Sequence, residues 1–202
     1  VRCERRHPAV KFRVERDVLA EAATWTARSL SPRPPVPVLS GLLIKAESGS
    51  LSIASFDYEI SARLQIPADI SEEGTILVSG RLLAEICRSL PSAPVDVETD
   101  GSKVTLTCRN SRFNLATMPV SEYPELPALP DVSGVVDGDA FAQAVSQVII
   151  AASRDDTLPI LTGVRMEIED DLITFLATDR YRLALRELQW KPATPGISTS
   201  AL

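Results

Sequence analysis

Apolar positions recur along this chain at two different periods. Over residues 16–30, Leu19, Ala22, Ala23, Thr26 and Leu30 fall at three- and four-residue steps, which is one stripe on a helix. Asp17 stands near its start, where the helix dipole favours a negative charge. Residues 80–90 predict a second helix, with Leu83, Ile86, Cys87 and Leu90 inward and Pro91 as the stop. Elsewhere the period drops to two. Ile60, Ala62, Leu64 and Ile66 alternate with polar residues, the pattern of a half-buried strand. Further strands are expected at 12–15, 42–46, 51–56, 75–78, 95–99, 104–108 and 113–117, with turns at 47–50, 100–101 and 110–111. Two helices and about eight strands make an α+β unit, its helices packed on one face of antiparallel sheet.

The pattern then starts again. Sliding residues 12–63 forward by 122 places them on 134–185 without a gap. Val14 lands on Val136, Asp17 on Asp139, Ala22 on Ala144, Gly41 on Gly163, Asp57 on Asp179 and Ala62 on Ala184. A period this long is a whole domain used twice, not a solenoid repeat of roughly 20 to 50 residues. The second copy is expected to run from a strand at Val135 through a helix from Asp139 to about Ser153, then strands at 164–168, 172–177 and 181–188. Four prolines between Pro119 and Gly134 mark a semi-rigid connector. The expected organisation is therefore an extension at 1–9, a first domain at 10–118, a linker at 119–133 and a partial second domain at 134–202. Under the same shift Leu202 corresponds to Gly80, so the second copy stops where its second helix would begin. This predicts an N-terminal portion of a longer protein, or a truncated gene product.

Composition narrows the class. No apolar run approaches the roughly 18 residues of a membrane span, and 1–8 has no apolar segment of a secretory signal. Cys3, Cys87 and Cys108 form no C-x-x-C, and with His7 as the only histidine there is no zinc set. The reading is three free thiols in a reducing cytoplasm, with no metal or cofactor. A net charge of −6 argues against coating nucleic acid with the whole surface, while leaving room for a local basic face.

Three segments carry a resemblance: 33–39 (RPPVPVL), 79–87 (SGRLLAEIC) and above all 177–184 (ATDRYRLA). With the order of the motifs and the repeat, residues 10–202 resemble the bacterial sliding clamp, the β subunit of DNA polymerase III. Segment 154–159 (RDDTLP) is similar to actinobacterial clamps. The resemblance implies a head-to-tail homodimer of subunits with three copies of the unit each. Helices line the hole around double-stranded DNA and sheets form the outer wall. This chain would hold the first copy and about half of the second.

Such a ring slides, so it must hold phosphates and not read bases. The implied DNA-binding residues are Arg33 on the proline loop, Arg81 on the second helix, and Arg16 and Arg28 on the first. The plainer reading of each is a solvated surface arginine. The resemblance also implies a peptide pocket, where the polymerase III catalytic subunit and the clamp loader insert short linear motifs with Leu and Phe anchors. Its second-copy half maps to Leu161, Thr178, Arg180, Tyr181, Arg182 and Leu183. The family often has Gly-His where this chain has Arg180 and Tyr181. The plainer reading of 178–180 is a capped turn with an Asp–Arg pair, and Asp57 at the matching place supports it.

The other residues have plain readings too. Trp25 lies off its helix stripe, so partial exposure and packing at a boundary are both open. Trp190 reads as core of the second unit. The Pro32-to-Pro37 run reads as a rigid connector ahead of a PxxP ligand. For an enzyme the chain lacks GxGxxG, GxxxxGK[ST] and GxSxG, and histidine is absent after His7. Asp155 and Asp156 are paired carboxylates that a Mg²⁺ would accept, in a loop where a solvated turn is the simpler reading. The expectation is a non-catalytic, cytoplasmic processivity subunit, with any nucleotidyltransferase activity belonging to the holoenzyme. The alternative is a truncated clamp-derived interaction module that does not close a ring.

Overall fold

The computed structural model describes residues 9–201, so expectations for residues 1–8, Cys3 and His7 among them, and for Leu202 lie outside the described residues. The chain divides into two compact units, up to Ala128 and from Leu129 onward.

The first unit contains β1 (Lys11–Val14), α1 (Arg16–Ala27), β2 (Gly41–Glu47), β3 (Ser50–Phe56), β4 (Ser61–Pro67), β5 (Asp69–Glu72) and β6 (Gly74–Ser79). It continues with α2 (Gly80–Ser89), β7 (Val95–Thr99), β8 (Lys103–Cys108) and β9 (Ser111–Ala116). The strands form two antiparallel sheets, ordered β5-β1-β7-β8-β9 and β4-β3-β2-β6. Both helices pack on them over one core that takes in Leu19, Leu42, Ile53, Val78, Leu83 and Leu106. All five residues of the expected α1 stripe are buried. The helix ends at Ala27 and not at Leu30, because its last three amides, Arg28, Ser29 and Leu30, bond back only three residues, at 3.2–3.4 Å. α2 sits tight on the sheet because its first residue is Gly80. A Cβ there would meet Leu30 Cδ1 at 2.5 Å and Leu42 Cγ at 2.8 Å.

The second unit contains β10 (Gly134–Val135), α3 (Gly138–Val148), β11 (Arg165–Glu169), β12 (Leu172–Thr178), β13 (Leu183–Gln189), β14 (Lys191–Pro192) and β15 (Ser198–Ala201). Its sheets are β10-β14 and β13-β12-β11-β15. Asp137 caps α3 by accepting from Ala140 N–H at 2.9 Å.

The repeat is geometric as well as sequential. Leu43 pairs with Ala54 and Arg165 with Leu176, each shifted by 122. Ser55 pairs with Ala62 and Ala177 with Ala184, again by 122. Phe12 pairs with Ile70 and Gly134 with Pro192 in the same way. Even the backbone exceptions repeat. Ser48 and Asp170 have φ of 52° and 51°, and Tyr58 and Arg180 have 75° and 80°.

Several expectations are corrected. The first unit has a ninth strand, β5, whose polar Asp69–Glu72 sequence hides its edge pairing with β1. The expected linker at 119–133 is not all connector: Val120–Glu122 is a 3₁₀ turn, and Tyr123 is buried with Val38 and Leu77 of the first unit. The strand expected from Tyr181 begins at Leu183, since 179–182 is a turn closed by Asp179. Trp190 is half-buried at the edge of the second core, its Nε1 donating to Asp170 O at 2.9 Å. The 122 shift also fails after β14. Ile44 pairs with Ile76, but Met166 pairs with Ala201, an offset of 125. Three extra residues lie between β14 and β15, so the place of Gly80 falls beyond Leu202 and not on it.

Candidate functional site

The predicted arginines separate into two environments. Arg81, in the first turn of α2, donates from Nη2 to Leu30 O at 3.4 Å. That bond sets the start of α2 against the stretch holding Arg28 and Arg33, both exposed. Arg33 is on the proline loop, with its N–H bonded to Ser31 Oγ at 3.3 Å. The N-terminus of α2 has no side-chain cap, so its free N–H groups and dipole add to the positive potential there. Arg16 does not join this group. Its side chain is 24% exposed, Nη1 is 2.8 Å from Asp17 Oδ1, and Nε is buried without a partner. Its charge also acts on Cys87, whose thiol burial pushes up to about 12 while Arg16 pulls it back. Arg16 is thus partly buried and paired with Asp17, unlike the exposed Arg28 and Arg33.

The helix face is mixed in sign. Asp17 and Glu21 are exposed on α1, and Glu85 lies between Arg81 and Arg88 on α2. Positive charge is therefore presented at a few points and not as a uniform field. Trp25, on α1, is 48% exposed within this unit. Two depressions of the unit, about 330 Å³ beside Arg13 and Asp69 and about 260 Å³ beside Trp25, hold none of the predicted arginines.

The second surface is built on one turn. Asp179 Oδ1 accepts from Tyr181 N–H at 3.1 Å and Arg182 N–H at 3.0 Å, and Oδ2 accepts from Arg182 Nε at 2.9 Å. Thr178 Oγ1 donates to Arg182 O at 2.8 Å. The Arg182 N–H, ahead of its side chain, holds the Asp179 carboxyl below the usual range. These bonds let Arg180 take its left-handed φ without glycine. Asp57 makes the same turn with Glu59 and Ile60 N–H, so the Asp is structural in both copies.

What the turn presents is apolar. Tyr181 is 90% exposed and Leu183 64%, with Leu185 beside it on the same strand face. Leu161 closes this loop region by accepting from Ser153 N–H at 2.8 Å. The structure adds Leu158 and Ile160, which the sequence reading omitted; Ile160 is 66% exposed. Their signal was in the repeat, because Ile160 stands where buried Val38 stands in the first unit. Such a surface takes apolar anchors, with arginine stems and backbone groups at the rim. Asp155 and Asp156 lie nearby in sequence. Asp155 caps its own loop through the Thr157 hydroxyl and N–H, which lower its pKa. Among the described residues no three His, Cys, Asp or Glu side chains converge as a metal site would require.

Residues 10–127 match the family described as DNA polymerase III beta subunit, N-terminal domain, and residues 135–201 match its central domain. The chain belongs to the DNA polymerase III beta subunit family. The Beta sliding clamp of Micrococcus luteus is 69% identical over 193 residues, covering 96% of this chain and 62% of its own length. That of Streptomyces coelicolor is 63% identical over 193 residues, covering 96% and 51%. Both sources are actinobacterial, as segment 154–159 implied. The crystal structure of the DNA polymerase sliding clamp from Bacillus subtilis superposes with a TM-score of 0.85 at 30% identity, over 95% of this chain and 53% of that one. The chain thus spans between half and two thirds of these beta-subunit relatives. The α+β tandem clamp units are the beta-subunit fold. No helix among the described residues is long and apolar enough to cross a membrane.

Proposed function

We propose that this chain works as a sliding clamp of the replicative DNA polymerase: it encircles double-stranded DNA without reading sequence and tethers the polymerase during replication. The observation that carries this is the pair of clamp units with one shared register, in a chain 69% identical to a protein named Beta sliding clamp. In this reading Arg28, Arg33 and Arg81 touch phosphates. The surface of Leu161, Thr178, Arg180, Tyr181, Arg182 and Leu183, joined by Ile160, takes linear motifs of the polymerase III catalytic subunit and the clamp loader. The gain is one of tethering, which raises the polymerase's effective concentration at the primer end. The protein is non-catalytic, acts in the cytoplasm, and forms a head-to-tail homodimer in a subunit that carries the third copy. It needs no cofactor.

The test loads the whole subunit containing this chain onto nicked circular DNA, then linearises it. Retention on circles and loss on linear DNA are expected. Equal retention on both forms overturns the reading. Arg33→Ala and Arg81→Ala should each weaken DNA binding alike across sequences and reduce the salt slope by about 1.

A further inference from the structure

The sheet β4-β3-β2-β6 has two faces, and in the first unit both carry apolar cover. One meets the helices. On the other, Val38, Leu77 and Tyr123 are buried together, with Leu43, Phe56 and Met118 packed around them. Met118 and Tyr123 come from the stretch after β9. The segment is fastened at both ends: Met118 N–H donates to Leu77 O at 2.8 Å, and the Tyr123 side chain is 8% exposed. Pro119 and Pro124 bracket a single 3₁₀ turn, which stiffens it in the bound shape. Tyr123 Oη is buried without a hydrogen-bond partner. Burial raises its pKa, the Phe56 backbone opposes the rise, and the Asp57 carboxylate adds to it. The ring is anchored chiefly by its apolar packing with Val38 and Leu77.

The repeat identifies this place. Val38, Phe56 and Asp57 correspond to Ile160, Thr178 and Asp179 of the second unit. The same region of the module is filled in one copy and exposed in the other: Val38 is 5% exposed and Ile160 is 66% exposed.

We propose that residues 118–123 are a tethered ligand: the first unit carries a peptide groove of the same kind as the second, held shut by the chain's own connector. Its ligand is a short peptide with an aliphatic anchor and, five residues on, an aromatic one. The proposal rests on reading the second-unit surface as a peptide site. A short tether supplies an effective concentration on the order of millimolar, so free peptide at micromolar levels does not displace it.

The probe is a fluorescent peptide of residues 117–125 (TMPVSEYPE), carrying a photo-crosslinker at the tyrosine position. It is titrated into the 202-residue chain, with folding checked by circular dichroism. Tyr123→Ala should bind it at least tenfold more tightly than the unsubstituted chain and crosslink near residues 38–77. Tyr123→Phe keeps the ring and should behave like the unsubstituted chain. Met118→Ala is the independent route. It removes the segment's other anchor and leaves Tyr123 and the groove residues Val38 and Leu77 intact, and it decides the matter if Tyr123→Ala does not fold. Folded variants that gain no binding overturn the proposal. Crosslinks confined to residues 158–183 also overturn it, while leaving the second-unit peptide site standing.

Discussion

At three matching positions the two units solve one packing problem with opposite chemistry. In the first, Thr26, Ser29 and Ser55 form a knot: Thr26 Oγ1 donates to Ala22 O at 2.8 Å, Ser55 Oγ to Thr26 O at 3.1 Å, and the two serine hydroxyls lie 2.5 Å apart. In the second, the same places hold Val148, Ala151 and Ala177, all at most 2% exposed. The hydroxyls are tolerable in the first unit because each has a partner. The second unit needs none because it buries none. Register and turn geometry persist while the core chemistry changes, so the clamp topology does not depend on either choice. A second difference concerns cover. Leu19 is 1% exposed, in a core that includes Leu83 of α2, whereas its counterpart Phe141 is 37% exposed. Among residues 9–201 the second unit shows no counterpart of α2 or of β7–β9, elements that in the first unit share the core with Leu19.

The largest expected effect breaks that second difference. Leu19→Ala should cost about 2–5 kcal/mol, as a buried leucine truncation does. Phe141→Ala should cost on the order of 1–2 kcal/mol, losing an edge-on contact with Phe175 at 5.4 Å and partial burial. Urea unfolding of the 202-residue chain measures both. Equal losses would mean that α2 does not create the difference in burial.

The next effect is smaller and tests the hydroxyl knot. Ala177→Ser places a hydroxyl in the apolar version of the site and should cost about 1–3 kcal/mol. Transplanting the apolar version the other way, as Thr26→Val with Ser29→Ala and Ser55→Ala, should stay within about 1 kcal/mol of the unsubstituted chain, since donors and acceptors leave together. Ser55→Ala alone should cost about 1 kcal/mol, because only one partner leaves. A triple variant worse than the sum of its singles would show that the knot is needed for the first unit's fold.

What could be read before any coordinates follows the same division. Helices with a clean apolar stripe were legible: every residue of the 19–30 stripe is buried. Strands β5 and β15 were not, because DISE and STSA carry no alternation and are strands only through the edge they pair with. The left-handed Tyr58 and Arg180 were invisible, since neither is glycine and the stabilising Asp acts only once the turn forms. At the site, the 177–184 motif located the exposed turn. Residue type alone could not tell Arg16, folded inward, from Arg28 and Arg33, which face solvent. The inserted residues after Pro192 lie past residue 185, where the gapless match ends.

The smallest expected effect is a titration, and it sharpens the match between the two Asp turns. The folded Asp179 carboxyl titrates below the ordinary value, about 3.9 in model peptides, chiefly because the Arg182 N–H donates to the charged form. A depressed pKa adds stability that is present above the unfolded value and is lost as pH falls through the folded one. The turn should therefore hold unchanged down to about pH 4 and loosen only below it. Amide resonances of Tyr181 and Arg182 report this directly. Their midpoint should lie below the ordinary Asp range, and Asp179→Asn should abolish the titration. The Asn side-chain carbonyl can still accept from both backbone amides, so Arg180 should keep its left-handed backbone while the Arg182 ion pair is lost. A midpoint at or above the ordinary value would show that the carboxylate does not hold the turn, and would leave the matching φ at Tyr58 and Arg180 without a shared cause.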